Sequence, residues 1–349
     1  MKKNTLKVLS LFAGAGGMDL GFKNAGYDIV WANDIDADSV KTYRRNIGDH
    51  IFHGDIEKIR NNKISSNIDI VIGGFPCQGF SMLGLRNEND ERNKLFKQII
   101  KFVEFFQPKF VVMENVVGLL SMKKGKTIKS ICRKFEKCGY SVRYDTLVAS
   151  DFGVPQNRTR VFIVCSKKKI PVKKLFPKPN GHAKVSAKEA ISDLAFLGVG
   201  SSSDKYLTKP QHDYQKRMRH NSKKLSNHHS PKHSRRIQER FSSIPKGCAA
   251  RKLDSYDSDK RDCNKMDPRL PCRTISTLPE DMVHYSKNRI PTVRELARLQ
   301  SFPDSFIFLG PRTTGGLRRR FECPQYTQVG NAVPPMLAEA VFRHIKELM

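Results

Sequence analysis

From Asp69 to Ser81 the chain reads Asp-Ile-Val-Ile-Gly-Gly-Phe-Pro-Cys-Gln-Gly-Phe-Ser, an apolar run that stops at a Pro-Cys pair. Residues 70–72 read as a buried strand that Gly73 and Gly74 break. Cys77 then stands where a strand of an α/β sheet opens into a loop, the edge at which such sheets hold ligands and catalytic groups. This makes Cys77 a candidate nucleophile. An arbitrary cysteine is more often a small buried hydrophobe, so its neighbours must decide between the two roles.

Other segments end at the same kind of edge. Leu6–Phe12 reads as a strand, Ala13-Gly-Ala-Gly-Gly17 as a turn and Met18–Ala25 as a short helix closed by Gly26. Strand, glycine turn and helix form the plan of a nucleotide-type site, because glycine lets the backbone approach a ligand closely. A second strand, Tyr27–Ala32, leads into Asn-Asp-Ile-Asp36, which puts Asp34 at a strand C-terminus. An acid there commonly takes the ribose hydroxyls of an adenosine-containing cofactor, while Asp36 suits the N-cap of a helix over Ala37–Asn46. His53–Ile56 reads as a third strand end. Residues 82–93 are polar and suit a lid, and Leu95–Phe106 has helical spacing. Lys109–Asn115 is apolar until it delivers Glu114 and Asn115, so an acid and a thiol arrive on one sheet edge. A helix over Thr127–Lys137 and strands over Tyr140–Ala149 and Arg160–Cys165 follow. The loop between those two strands carries Arg158 and Arg160, which in extended backbone would face one way.

Charge points to a polyanionic partner. The 349 residues carry 63 Lys+Arg against 34 Asp+Glu, a formal +29. The excess is concentrated: residues 167–289 hold 29 basic and 12 acidic residues and seven of the ten histidines. That segment is irregular in texture and suits nucleic-acid phosphates. The eight cysteines form no CxxC pair and no short disulfide framework, consistent with a reducing cytoplasm. Cys248, Cys263 and Cys272 lie near histidines at spacings that match no common zinc pattern, so no metal is expected. No stretch reaches the roughly 18 apolar residues of a membrane span. After the basic segment, Val293–Gln300 reads as an amphipathic helix capped by Thr292 and ended by Phe302-Pro303. A long loop from Gly310 to Pro324 precedes Gln328–Pro335, which leads into a closing helix over Met336–Leu348.

Six blocks, Phe12-Ala-Gly-Ala-Gly-Gly17, Gly74-Phe-Pro-Cys-Gln-Gly-Phe-Ser81, Met113-Glu-Asn-Val116, Gln156-Asn-Arg-Thr-Arg160, Arg294-Glu-Leu-Ala-Arg-Leu-Gln300 and Gln328-Val-Gly-Asn-Ala-Val-Pro334, stand in an order that resembles the signature of DNA (cytosine-5) methyltransferases. The likeness fails only across the basic segment. It implies a doubly wound, Rossmann-like α/β sheet that binds S-adenosylmethionine, plus a smaller irregular target-recognition domain. The implied division is 1–175 with 329–349 for the catalytic domain, 176–290 for target recognition and 291–328 as a connecting hinge. Carried over by position, Phe12, Gly14, Gly16 and Pro76 line the cofactor and Asp34 takes its ribose. Ile35 packs on the adenine, Asp55 and Ile56 hold the adenine edge, and Asn331 supports the region. Cys77 becomes the nucleophile and Glu114 the partner of the target base, with Arg158 and Arg160 beside it. Gln78, Ser81, Arg86, Thr274, Arg318 and Arg319 are the expected DNA contacts. The implied partner is double-stranded DNA, acted on by a monomer in the bacterial cytoplasm, with a cognate restriction endonuclease linked by function rather than by stable contact.

The residue types suit that chemistry on their own terms. Carbon 5 of cytosine is a poor nucleophile until a thiolate adds at carbon 6, and an acid at N3 removes the charge that would build up. An arginine can hydrogen-bond the O2 of the base, and the base must leave the duplex stack to be reached. Two further readings are a tRNA cytosine methyltransferase of the same fold and a catalytically silent DNA-binding protein. Gly-Phe-Ser after Pro76-Cys77-Gln78 and the long basic region disfavour the first; the intact Cys77, Glu114 and Arg160 disfavour the second.

Overall fold

A computed structural model describes residues 5–61, 64, 67–75, 93–171, 174–179, 181, 183–250, 263–314, 318 and 322–349. The chain divides into two compact units, residues 1–148, 159–179 and 337–349, and residues 149–158 and 180–336. Residues 291–328, expected as a connecting segment, cluster with the second unit. So do 149–158 and 329–336, which were expected with the catalytic domain.

The first unit is built on strands β1 (Lys7–Leu11), β2 (Asp28–Asp34), β3 (Ile51–His53), β4 (Ile70–Gly73), β5 (Phe110–Val116) and β6 (Ser141–Val148). After β6 the chain leaves for residues 149–158, which contain the two-residue strand β7 (Gln156–Asn157), and returns as β8 (Thr159–Ser166). The sheet order is β3-β2-β1-β4-β5-β8-β6, parallel from β3 to β5, with β8 antiparallel to both of its neighbours. Order reverses between β1 and β4, and the sheet is therefore doubly wound as expected. Helices α1 (Gly17–Asn24), α2 (Ala37–Asn46), α3 (Asn93–Phe106), α4 (Gly118–Ser121) and α5 (Lys126–Lys137) form the crossovers.

The apolar runs are continuous rather than alternating because both sheet faces are covered. On one face Leu9, Leu11, Val71, Val111, Met113, Val161 and Ile163 form a core with Ile99 and Phe102 of α3 and Ile131 and Phe135 of α5. The alternate residues Val8, Ile70, Ile72, Phe110 and Val112 are buried too. The C-terminal helix (Pro335–Leu348) packs against α1: Phe342 stacks on Phe22, and the Tyr27 hydroxyl donates to the Phe342 carbonyl at 3.0 Å. Asp36 caps α2 through a 2.6 Å bond from Ser39 N, as its position suggested.

The second unit is irregular but not helix-free. It contains α6 (Ala187–Ile191), α7 (Asp213–Arg219), α8 (Arg235–Ser243), α9 (Val293–Leu299) and α10 (Gln325–Asn331), with the short strands β9 (Asn264–Lys265), β10 (Cys272–Arg273) and β11 (Met282–Val283). Helix α10 occupies the start of the Gln328–Pro335 stretch, to which no element was assigned from the sequence. Gly330 lies inside it because a Cβ there would collide with the Ser276 carbonyl. The organising piece is α9, in which every residue is buried, charged ones included. Arg289 grips Glu295 through two bonds of 2.7 Å, and Glu295 also accepts from the Thr292 backbone at 2.8 Å to complete a capping box. Arg298 bonds Asp304 through two nitrogens at 2.8 and 2.6 Å and Asp193 at 2.5 Å.

Burial would raise the Glu295 pKa, but Arg289 overrides it and holds the group at about 2. Its ordinary value is 4.5, so the stabilisation is full above that pH and is lost as pH falls toward 2. Removing one member of a buried pair strands the other, and Glu295→Gln should cost about 3–5 kcal/mol in denaturant unfolding at pH 7. The variant should also show a shallower loss of stability between pH 5 and 3 than the parent. Equal slopes would contradict the assignment.

Candidate active site

The C-terminal edge of the parallel strands is tied together by side chains on the strand ends. At the end of β1, Phe12 and Gly14 adopt left-handed backbone (φ 57° and 55°), which turns the chain toward α1. Gly16 caps that helix at φ 91°, and a side chain there would meet Tyr43 and Ile47. Only glycine fits both demands. The loop is fastened to β2 by Asp34, whose Oδ2 accepts from Gly14 N at 2.7 Å and whose Oδ1 accepts from Asp36 N at 2.9 Å. Burial raises the Asp34 pKa, opposed by these backbone donors. Asn33 extends the link to β3 by donating to the carbonyls of Phe52 and Gly54 at 3.3 and 2.8 Å. His53 Nε2 lies 3.1 Å from the Ile35 carbonyl, and Asp55 caps a 3-10 turn that starts at the buried Ile56.

Those residues fit an adenosine group. Asp34 accepts Gly14 N on Oδ2 and Asp36 N on Oδ1, and a carboxylate has lone pairs beyond these, which suits it to accept from a ribose hydroxyl. Ile35 is 69% exposed at the adjoining strand end, an apolar surface with no protein cover. A Cβ on Gly14 would meet nothing within 4 Å, so the space above the loop is open.

Along the same edge, β4 ends at Gly73 and β5 brings Glu114 and Asn115. Asn115 Nδ2 donates to the Phe75 carbonyl at 3.2 Å, and its Oδ1 accepts from Val116 N at 2.8 Å. This latch fixes the chain just before Pro76 and Cys77. The Glu114 carboxylate stands over Gly74, with Oε2 3.4 Å from where a Cβ would be. Arg160 reaches the same carboxylate from β8, Nε to Oε1 3.0 Å, with both side chains largely buried. Register explains the meeting: Phe162 lies opposite Glu114, and Arg160, two residues away, emerges on the same face. Arg160 Nη1 also donates to the Thr159 carbonyl at 2.8 Å, and burial lowers the Arg160 pKa against the pull of Glu114.

Arg158 is employed differently from the expectation that it would flank the base with Arg160. It is 2% exposed, and Nη1 and Nη2 donate to the carbonyls of Ile275 and Gly330 at 3.0 and 2.8 Å. Its guanidinium thus joins β7, the segment after β10 and α10 within the second unit. Gln156 works beside it, donating to Gln300 Oε1 at 2.7 Å and accepting from Ile275 N at 2.9 Å. The exposed Thr274 donates its hydroxyl to the Asn157 carbonyl at 3.0 Å, beside a groove of about 440 Å³ lined by Asn157, Asn264, Arg273 and Thr274. Asn331 is exposed at the end of α10, and the exposed Arg318 has Glu322 at 3.9 Å. Pro76, Cys77, Gln78, Ser81, Arg86 and Arg319 lie outside the described residues. Sequence reading missed the Asn115 latch and the Asn33 link. In both cases the only signal was an asparagine beside the singled-out acid.

The chain is similar to known proteins in both sequence and fold. Residues 6–347 match the family model for C-5 cytosine-specific DNA methylase. Type II methyltransferase M.DdeI of Desulfomicrobium norvegicum is 38% identical over 97% of this chain and 88% of its own. Type II methyltransferase M1.HphI of Haemophilus parahaemolyticus is 35% identical over 97% and 86%. Among solved structures, a DNA modification methyltransferase encoded within an E. coli prophage superposes with a TM-score of 0.77 at 27% identity, covering 99% of both chains. The S. pombe Dnmt2 methyltransferase, at 19% identity and a TM-score of 0.59 over 98% of this chain and 99% of its own, shares the fold. With a glycine loop bound to Asp34 and a Glu114–Arg160 pair on one sheet edge, and with the family match running almost end to end, the chain belongs to the C-5 cytosine-specific DNA methylases, which transfer a methyl group from S-adenosylmethionine to DNA.

Proposed function

We propose that this protein is the modification methyltransferase of a type II restriction-modification system, methylating carbon 5 of one cytosine within a specific duplex site in the bacterial cytoplasm. The observation that carries the reading is the Glu114–Arg160 pair seated over Gly74, three residues before Cys77. In this reading the monomeric enzyme protects host DNA from a cognate endonuclease that it need not touch.

The roles of the residues follow from their chemistry. The target cytosine swings out of the stack, at a cost of a few kcal/mol. The Cys77 thiolate forms a bond to carbon 6 while Glu114 places a proton on N3, and the ring becomes an enamine nucleophilic at carbon 5. Arg160 orients Glu114 and supplies a donor for the O2 of the base. Bound S-adenosylmethionine supplies an electrophilic methyl group. Asp34 holds its ribose, Ile35 covers its adenine, Asp55 and Ile56 hold the adenine edge, and Phe12, Gly14, Gly16, Pro76 and Asn331 line the remainder. Once carbon 5 carries the methyl group, a base or water takes its proton. The electron pair re-forms the ring double bond, the Cys77 sulfur leaves as thiolate, and the N3 proton returns to Glu114.

Unit 2 acts as the target-recognition domain, with Thr274 and the groove beside it meeting the duplex and Gln78, Ser81 and Arg86 contacting it from the segment after Cys77. Arg318 and Arg319 offer charge to phosphates. Arg158 serves as a positioning residue, holding Ile275 and therefore Thr274 in place.

Bisulfite sequencing of DNA from cells expressing the protein should show one cytosine converted to 5-methylcytosine within one recurring sequence. Random or absent methylation would overturn the proposal. Cys77→Ser should abolish transfer while DNA binding by gel shift stays within a few-fold, and duplex with 5-fluorocytosine at the target should give the parent a denaturant-stable adduct, because no proton can leave carbon 5. Arg160→Lys keeps the charge but loses the Nε contact, and its turnover should fall about a hundredfold with S-adenosylmethionine affinity unchanged. Weakened cofactor binding at constant turnover would reassign Arg160 to the cofactor site.

A further inference from the structure

Asp19 lies in the first turn of α1, three residues beyond Gly16, and is only 1% exposed. The reaction above gives it no task. Its Oδ1 accepts from the Tyr43 hydroxyl of α2 at 2.9 Å, and that hydroxyl stands 3.0 Å from His50 Nε2. Its Oδ2 has no hydrogen-bond partner among the described residues. The groups that face the carboxylate are the Ser10 hydroxyl of β1, Tyr43 of α2 and the Asp34 carboxylate at the end of β2. None of these is a cation, and one is a second anion. A buried carboxylate is normally paired or neutralised, so the arrangement is costly as it stands. Tyr43 connects the pair to the cofactor loop, because its ring lies 3.0 Å from where a Gly16 side chain would begin.

What would offset that cost is a positive charge arriving from outside the chain. The methyl donor carries one on sulfur, and the product thioether does not; otherwise both have the same amino, carboxylate and adenosine groups. We infer that Asp19, held by Tyr43 beneath the glycine loop, is a specificity-determining residue that favours the cationic S-adenosylmethionine over the neutral S-adenosylhomocysteine and so promotes exchange of spent cofactor after each transfer. The inference rests on the reading that the loop from Phe12 to Gly16 holds the cofactor.

Burial pushes the Asp19 pKa up to about 6; Ser10 and Tyr43 oppose that rise and Asp34 adds to it. The anion is therefore present at neutral pH and lost as pH falls through 6, and a bound cation would move that midpoint lower. His50, which shares the Tyr43 hydroxyl, has its own pKa lowered, chiefly by burial.

Calorimetric titration of the full chain with each ligand, from pH 5 to 8, tests the idea. The parent should prefer S-adenosylmethionine, and the ratio of the two affinities should shrink as pH falls from 7.5 to 5. In Asp19→Asn the ratio at pH 7.5 should drop roughly tenfold, the order expected of one charge acting through a partly buried path, almost all of it through weaker donor binding, and should no longer vary with pH. Tyr43→Phe removes a bond that favours the ionised form, so the midpoint of the ratio should move upward. That result assigns the effect to Asp19 rather than Asp34 and remains readable even where Asp19→Asn does not fold. A ratio in the parent that ignores pH, or equal weakening of both ligands in Asp19→Asn, would overturn the inference. Failure of the parent to bind either ligand would instead remove the cofactor-site reading beneath it.

Discussion

The candidate site depends on the register of one antiparallel strand. All the strands from β3 to β5 run the same way and deliver their ends to a common edge, which suffices for the glycine loop, Asp34 and Glu114. None of them can bring an arginine to Glu114 from the far side of β5. Strand β8 does so because Phe162 is paired opposite Glu114 and Arg160 shares its face. A slip of one residue would turn Arg160 to the other face and leave a largely buried carboxylate without its cation. The pairing over Phe110–Val116 and Arg160–Ser166 is long and apolar, with Val111, Val112, Val161, Ile163 and Val164 inaccessible to solvent, so the core itself sets the register.

The buried charges of the second unit do a different job. Replacing ion pairs of this kind by apolar groups is often neutral or stabilising in other proteins, so their presence says little about stability. What they supply is direction. Arg298 can satisfy Asp193 and Asp304 together in only one arrangement, and Arg289 can meet Glu295 bidentately in only one. In a unit with few strands and short helices, such contacts fix how distant loops converge. Arg158 and Gln156 use the same device with backbone carbonyls and amides as partners.

How much could be read from the sequence follows the range of the interactions. Helix α2 was legible to the residue because its signals are local, an Asp36 cap and an apolar face. The inner strands β1, β4, β5 and β8 were legible because burial on both faces produces nearly unbroken apolar runs. The helix over Gln325–Asn331 was not, since Gly330 reads as a breaker and its reason, the approach of Ser276, lies 54 positions away. The irregular texture of the basic region likewise hid α7 and α8, which are short, seven and nine residues, and stand among Ser, Lys and His. In the site, Glu114 and Arg160 were legible as types in the right order. The duty of Arg158 was not, because its partners Ile275 and Gly330 are separated from it by 117 and 172 positions. Nor did the sequence mark Asp19 as a buried carboxylate with no cation beside it, which depends on Tyr43 and Ser10 closing around it.

The contact between α1 and the C-terminal helix has a consequence for how the protein is made. Phe22 is covered by Phe342, and the backbone carbonyls of Ala25 and Gly26 are met by Lys346, each partner more than 300 positions later. On a ribosome the whole of the second unit is synthesised before that cover exists. The surface of α1 around Phe22 therefore waits, apolar and uncovered, for the helix that carries Phe342 and Lys346. A chaperone that shields Phe22 during this interval would guard a contact that can close only after the second unit has been made.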